Sequence, residues 1–302
     1  MADLPPVAIS SYDPFAGLAP GAALPYVLLD VFAEGPLEGN QLAVFTRSPA
    51  LAAEQMQALA RELKLSESVF VLAPEAGGDA RMRIFTPEAE LPFAGHPVLG
   101  TGALLAAALG REEVVLETGA GEVAVGLRSR RGAVVRATMR QPIPTWEPVD
   151  EPGPLLAALG VASSRLPVER YRNGPRHILV AVSSQAEVAA LEPDMRALQQ
   201  FDAGTGVSCF AGADGRFKTR VFAPGLGIPE DPATGSAAGP LAVHLVRHGL
   251  AEHGRRLEIR QGAEIGRPSL LHARADGEGE RFDLVEVEGG VVTVGRGELH
   301  PG

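Results

Sequence analysis

The sequence predicts an α+β protein built from two copies of one unit, and three observations predict it. "RMRIFTPEAELPFAGHPVLGTGALLAAAL" (81–109) matches "KTRVFAPGLGIPEDPATGSAAGPLAVHLV" (218–246) in a basic residue, an aliphatic, Phe, a small residue, Pro, an irregular loop and a Gly turn opening a small-residue helix. Upstream, "LAAEQMQALARELKLSESVFVLAP" (51–74) matches "EVAALEPDMRALQQFDAGTGVSCFAGA" (187–213), each an amphipathic helix, a loop and an apolar strand. Earlier still, "GNQLAVF" (39–45) matches "GPRHILVAV" (174–182) as a loop entering a strand. Matched segments in one order indicate a duplication, and a long-period repeat sets the architecture.

Each element has its own warrant. Residues 1–24 form a Pro/Gly-rich arm, ordered only against the body or a second subunit. The first unit spans 25–141 and the second 142–302. In each, the helix after the Gly turn is the most apolar and is expected to be central. The strands "REEVVLETGAGEVAVGLRS" (111–129) and "GAVVRATMR" (132–140) finish the first unit. Pro142, Pro144 and Pro148 mark the crossing, because proline is depleted in strands and enriched in connections. The last segment, "RFDLVEVEGGVVTVGRGEL" (281–299), alternates apolar and polar residues across an expected turn at Gly289 and Gly290. Its strands are free to pack on either unit.

The 302 residues are 45% hydrophobic and 21% charged, with a formal charge of −10. No basic block exists to displace counterions from phosphates, which argues against nucleic-acid and anionic-membrane partners and for a small molecule. Cys209 is the only cysteine, so an intrachain disulfide and a Cys-based metal cluster are both excluded. The start lacks a basic n-region, and no apolar run reaches membrane-spanning length. The cytoplasm is the expected compartment and a homodimer the expected assembly.

Differences between the copies point to chemistry, since structural needs are met alike by both. Gly95 aligns with Gly235 and His96 with Ser236, but Asp231 has no counterpart in the first copy. Conversely, Glu67 in "LKLSESVFV" faces glycine and small residues in "GTGVSCF". A Gly turn opening a helix offers unpaired N–H groups and the positive end of the dipole. A carboxylate ligand is therefore expected between Gly95 and Gly235, with Ser66 and Thr234 beside it. Simpler roles stand alongside: a solvated strand-edge Glu67, a helix-capping Asp231, a His96 that caps its own loop.

Other signals are weak. "GAGEVAVG" has no helix after it, and "GHPVLGTG" lacks the lysine of a P-loop. His244 and His248 have the i, i+4 spacing of zinc ligands, but Leu245 stands where HExxH has its glutamate. They are expected to lie on the helix surface. Cys209 is expected to pack in a strand. A metal held by Glu67, His96 and Asp231 is the lesser alternative to a site without metal or cofactor.

"LDVFAEGPLEGNQLAVF", "LSESVFVL", "FAGHPVLGTGALL", "EDPATGSAAGPLAVHL" and "QGAEIGRPSLL", in that order from about residue 26, resemble the PhzF-like family of phenazine-biosynthesis isomerases, related to diaminopimelate epimerase. The resemblance implies two similar domains, each a rolled β-sheet around a central α-helix, with the site in the cleft between them. It implies cofactor-free chemistry, with Glu67 as the proton-shuttling glutamate and His96, Asp231 and Ser236 as site residues. The relatives that racemise amino acids use a cysteine in each Gly turn; here those positions are Ala94 and Thr234, so a two-thiol epimerase is chemically impossible. The N-terminal arm departs from the family pattern. The expected function is an isomerase moving a proton within a small carboxylated, cyclic or amino-acid-like metabolite. A non-catalytic small-acid binder and a racemase with a non-thiol base are the alternatives.

Overall fold

A computed structural model describes residues 23–48 and 51–300, so residues 1–22 of the arm lie outside the described residues. The first copy runs β1 (Leu24–Val31), β2 (Asn40–Phe45), α1 (Ala53–Leu63), β3 (Glu67–Leu72), β4 (Ala80–Phe85), β5 (Glu90–Leu91), α2 (Gly95–Leu109), β6 (Glu113–Thr118), β7 (Gly121–Arg131) and β8 (Val134–Arg140). The second runs β9 (Thr145–Pro148), α3 (Gly153–Leu159), β10 (Glu169–Arg172), β11 (Arg176–Ala181), α4 (Gln185–Ala189) and α5 (Met195–Phe201). It continues through β12 (Thr205–Ala213), β13 (Arg216–Ala223), β14 (Ile228–Asp231), α6 (Gly235–Arg247), β15 (Leu257–Gln261), β16 (Ser269–Glu278) and β17 (Arg281–Leu299).

Pairing closes the strands β1-β2-β3-β4-β6-β7-β8-β17 into a ring around α2. A second series, β9-β10-β11-β12-β13-β15-β16-β17, rolls around α6. Each central helix is therefore apolar on nearly every side, as a helix enclosed by sheet must be. Close wrapping also needs small residues on the helix. A Cβ on Gly100 would lie 2.7 Å from Val31 Cγ2, and one on Gly102 2.5 Å from Val125.

The registers superimpose the copies residue by residue. Phe70 stands opposite Arg83 as Cys209 stands opposite Arg220, and Leu42 opposite Glu67 as His177 opposite Gly206. Glu67 thus corresponds to Gly206, and Leu42 to His177. The fold is the expected pair of rolled sheets about central helices.

Two expectations are corrected. The segment 187–201 is not one helix: Pro193 cannot continue α4, and Asp194 starts α5 by accepting hydrogen bonds from the N–H groups of Arg196 and Ala197. Gly289 and Gly290 do not turn the chain. β17 runs straight through them, pairing first with β16, then β8, then β1, and so belongs to both sheets. The glycines allow close approach instead, since a Cβ on Gly289 would meet the Phe32 ring at 2.2 Å and one on Gly290 the Ala33 carbonyl at 2.1 Å.

One ion pair ties the copies together beside the site. Arg267, just after β15, donates to Asp30 Oδ1 (2.5 Å) on β1 and to the carbonyls of Glu38 and Gly39. Asp30 is fully buried, and its other oxygen accepts from Leu37 N. Arg267→Ala is expected to lower the unfolding free energy by about 3 kcal/mol, because Asp30 would be left as a buried, uncompensated charge. Urea titration checks this, and a loss of only a few tenths would mean that the pair contributes no more than an exposed one.

Candidate active site

The two Gly turns meet back to back. A Cβ on Gly95 would lie 2.3 Å from Ser236 N and 2.5 Å from Gly235 C, so only glycine allows α2 and α6 to bring their N-termini together. Both turns leave first-turn N–H groups without helical acceptors and add their positive dipole ends at one place. The volume between the two glycines is taken up by their own backbones, so a ligand shared by both turns must lie beside them. That corrects the expected position between them.

Around this contact, side chains from both copies converge. Glu67 begins β3 and His96 is the second residue of α2; His96 Nε2 lies 3.5 Å from Glu67 Oε2. Both atoms are buried and have no hydrogen-bond partner. Burial, reinforced by the charge of Asp231, raises the Glu67 carboxyl well above its ordinary value. Burial lowers His96 to about 3, against a hydrogen bond with the Gln41 backbone. The approach is thus between a neutral imidazole and a carboxyl biased toward its neutral form, and is not an ion pair.

Asp231, at the end of β14, is held differently. Asn40 Nδ2 donates to its Oδ1 (2.7 Å), Thr234 Oγ1 to its Oδ2 (2.5 Å), and the Ser66 hydroxyl also bonds it. Burial raises Asp231 as well, but these donors favour its charged form. Gln261 Nε2 bonds the Asp231 carbonyl (2.7 Å) and Thr234 Oγ1 (3.0 Å), while its Oε1 accepts from Thr234 N. Glu67, His96, Asp231, Thr234 and Ser236, together with the paired glycines, therefore form one buried constellation, with partly exposed Ser66 at its edge.

Sequence reasoning passed over Asn40, Gln141, Asn173, His177 and Gln261. Asn40 Nδ2 also lies 3.2 Å from His96 Nδ1, linking the histidine to Asp231 across the copies. His177 Nε2 lies 3.0 Å from Ser236 Oγ. One signal was available: Pro240 sits inside α6 and has no N–H for the carbonyl four residues earlier, that of Ser236. Asn173 Nδ2 supplies the missing donor at 3.0 Å, and Gln141 Nε2 donates to the neighbouring Gly235 carbonyl at 2.8 Å. The other polar residues carried no comparable mark.

The family model described as phenazine biosynthesis-like protein (PhzC-PhzF) matches residues 29–297. The chain belongs to this family. It is 52% identical over 275 residues to a trans-2,3-dihydro-3-hydroxyanthranilate isomerase of Pseudomonas aeruginosa, covering 91% of this chain and 99% of that one. A solved structure of a predicted epimerase from the same organism is 35% identical, with a TM-score of 0.80 over 91% of this chain and 99% of that one. A hydroxyproline epimerase from Agrobacterium vitis shares the fold, at 15% identity and a TM-score of 0.64 over 92% and 91% of the two chains. The present family member is an isomerase.

Elsewhere in this PhzC-PhzF chain, the expectation for His244 and His248 fails. His244 is fully buried and His248 only partly exposed, because the far end of α6 is also enclosed. Among the described residues, one group of three metal-ligand types converges within 4.8 Å, and it is Glu169, His244 and His248 rather than Glu67, His96 and Asp231. A cation already stands there: Arg247 Nη1 lies 2.6 Å from Glu169 Oε2, which also accepts from Tyr171 and faces both histidines. Burial works against the Glu169 charge, but these hydrogen bonds hold its carboxyl far below the usual range. Cys209 is buried in β12, where burial pushes its thiol up to about 12, and it is a core residue. No described helix is long and apolar enough to cross a membrane.

The raised Glu67 carboxyl makes a thermodynamic prediction. Its folded pKa exceeds its unfolded one, so the fold binds this proton more tightly, and that stability is lost as pH rises from about 4.5 through the folded value. Glu67→Gln removes the titration. Its melting temperature, followed by calorimetry from pH 4.5 to 8, is expected to fall less with rising pH than that of the parent.

Proposed function

We propose that this family member moves a proton between two carbons of a small, cyclic, carboxylated metabolite of the dihydro-hydroxyanthranilate class, with Glu67 as the shuttle and no cofactor. The observation that carries this reading is the Glu67 carboxyl, buried, raised in pKa and unpartnered at Oε2. General acid–base catalysis works best with a pKa near the working pH, which the burial and Asp231 favour. The ionised carboxylate takes a proton from one ring carbon, and the electron pair it leaves spreads through the conjugated system. The same group, now a carboxylic acid, returns the proton to a second carbon on that face. Neutral His96, Ser236 and the N–H groups beside Gly95 and Gly235 stabilise the charge that develops, while those N–H groups also hold the substrate carboxylate. Asp231 keeps Glu67 basic. The 52% identity to a named isomerase of such a substrate supports the class. The reading includes a homodimer in the cytoplasm, and sedimentation at twice the 31.5 kDa chain mass tests the dimer.

Glu67→Gln is expected to cut turnover by a factor of about 10² or more with unchanged substrate affinity. It should also stop deuterium entering product from D2O. Substantial residual turnover would remove Glu67 from the mechanism. Asp231→Asn takes away a negative charge that raises Glu67, so the acidic limb of the kcat/KM profile is expected to move to lower pH. An unmoved limb would mean that a different base is titrating.

A further inference from the structure

Where the first copy places Glu67, the second has Gly206, and where the first has Leu42, the second has His177. The exchange is sterically linked. A Cβ on Gly206 would lie 3.0 Å from His177 Nδ1, so the absent side chain makes room for the imidazole. Each copy therefore pairs the second residue of its central helix with a strand residue: His96 with Glu67 at 3.5 Å, and Ser236 with His177 at 3.0 Å. The imidazole has moved from helix to strand, and its partner is a carboxyl in the first copy and a hydroxyl in the second.

His177 is 5% exposed, and its Nδ1 has no partner. A proton on Nδ1 would be a buried N–H without an acceptor, which folded proteins rarely tolerate, whereas a bare lone pair there costs less. Burial also lowers its pKa to about 4, so the ring is neutral at physiological pH and carries one proton. That proton belongs on Nε2, the nitrogen facing Ser236 Oγ. The serine oxygen is then an acceptor from His177, and its own hydrogen is left to point elsewhere, since among the described residues this oxygen has no other hydrogen-bond partner.

We propose that His177 is a positioning residue which, by donating from Nε2 to Ser236 Oγ, commits the Ser236 hydroxyl to donate its hydrogen to an oxygen of the bound substrate. The donation is aimed at a carboxylate or enolate-like oxygen, on which charge grows as the proton leaves carbon. Without His177 the hydroxyl is free to rotate and to accept instead, so the loss falls on turnover more than on binding. The inference rests on the Ser236 role given under Proposed function.

The test is a double-mutant cycle with two further readouts. Ser236→Ala and His177→Leu are each expected to lower kcat by about 10- to 100-fold with KM changed little, the range typical of a group that orients a site residue. Because they act through one hydrogen bond, the double variant should be no slower than Ser236→Ala alone. His177→Gln, whose Nε2 can occupy the donor position, should recover most of the loss. In the unsubstituted protein, 15N NMR of the His177 ring should show the Nε2–H tautomer, a measurement that does not depend on any variant folding. Full activity of Ser236→Ala would overturn the Ser236 role and this inference with it. A Ser236→Ala defect beside losses that multiply in the double variant, a Gln variant as slow as Leu, or an Nδ1–H tautomer would overturn the His177 inference alone.

Discussion

The contact between the N-termini of the two central helices is the constraint on which the rest of the structure depends. Gly95 and Gly235 touch through backbone atoms, and Phe32, itself at φ 63°, packs its ring against Gly235 and Gly289. Pro240 releases the Ser236 carbonyl, and Asn173 and Gln141 fix the turn from below. The consequence is positional: the residue after each glycine, His96 or Ser236, projects beside the joint, where two positive helix ends coincide.

Within that setting the two carboxylates are driven apart by their partners rather than by their burial, which is nearly equal. Asp231 is surrounded by donors, and Glu67 has an unpartnered oxygen facing a neutral imidazole. At Asp231 the donors oppose the effect of burial, whereas at Glu67 the charge of Asp231 adds to it, which favours Glu67 as the proton carrier. An unpartnered buried carboxyl is destabilising, and the closed ring about α2 and the rolled sheet about α6 are what hold it in place.

Duplication explains why the active constellation is lopsided. The copies agree in strand register, as at the facing pairs Phe70–Arg83 and Cys209–Arg220, where Phe70 and Cys209 pack on the outer helices α1 and α3–α5. They part at Glu67 and Gly206, Leu42 and His177, His96 and Ser236, all beside the helix joint. The far end of α6 has its own buried polar cluster, in which Glu169 accepts from Arg247 and Tyr171, and it takes no part in that joint.

The sequence by itself determined the duplication, the central place of the two Gly-opened helices, and Glu67, His96, Asp231 and Ser236 as the residues that differ between copies. These are legible because a repeat compares the chain with itself: what packing requires recurs, and what it does not require stands out. It also carried the absence of thiols at Ala94 and Thr234, a matter of residue identity alone. Only the tertiary structure decided that Gly289 and Gly290 are a crossing point and not a turn, that His244 is buried, and that the two Gly turns touch instead of enclosing a ligand. It alone supplied Asn40, His177 and Gln261. Their roles arise from pairing residues far apart in sequence, as Asn40 and Asp231 are by 191 positions, and no local pattern encodes which distant partner will fill a given hydrogen bond.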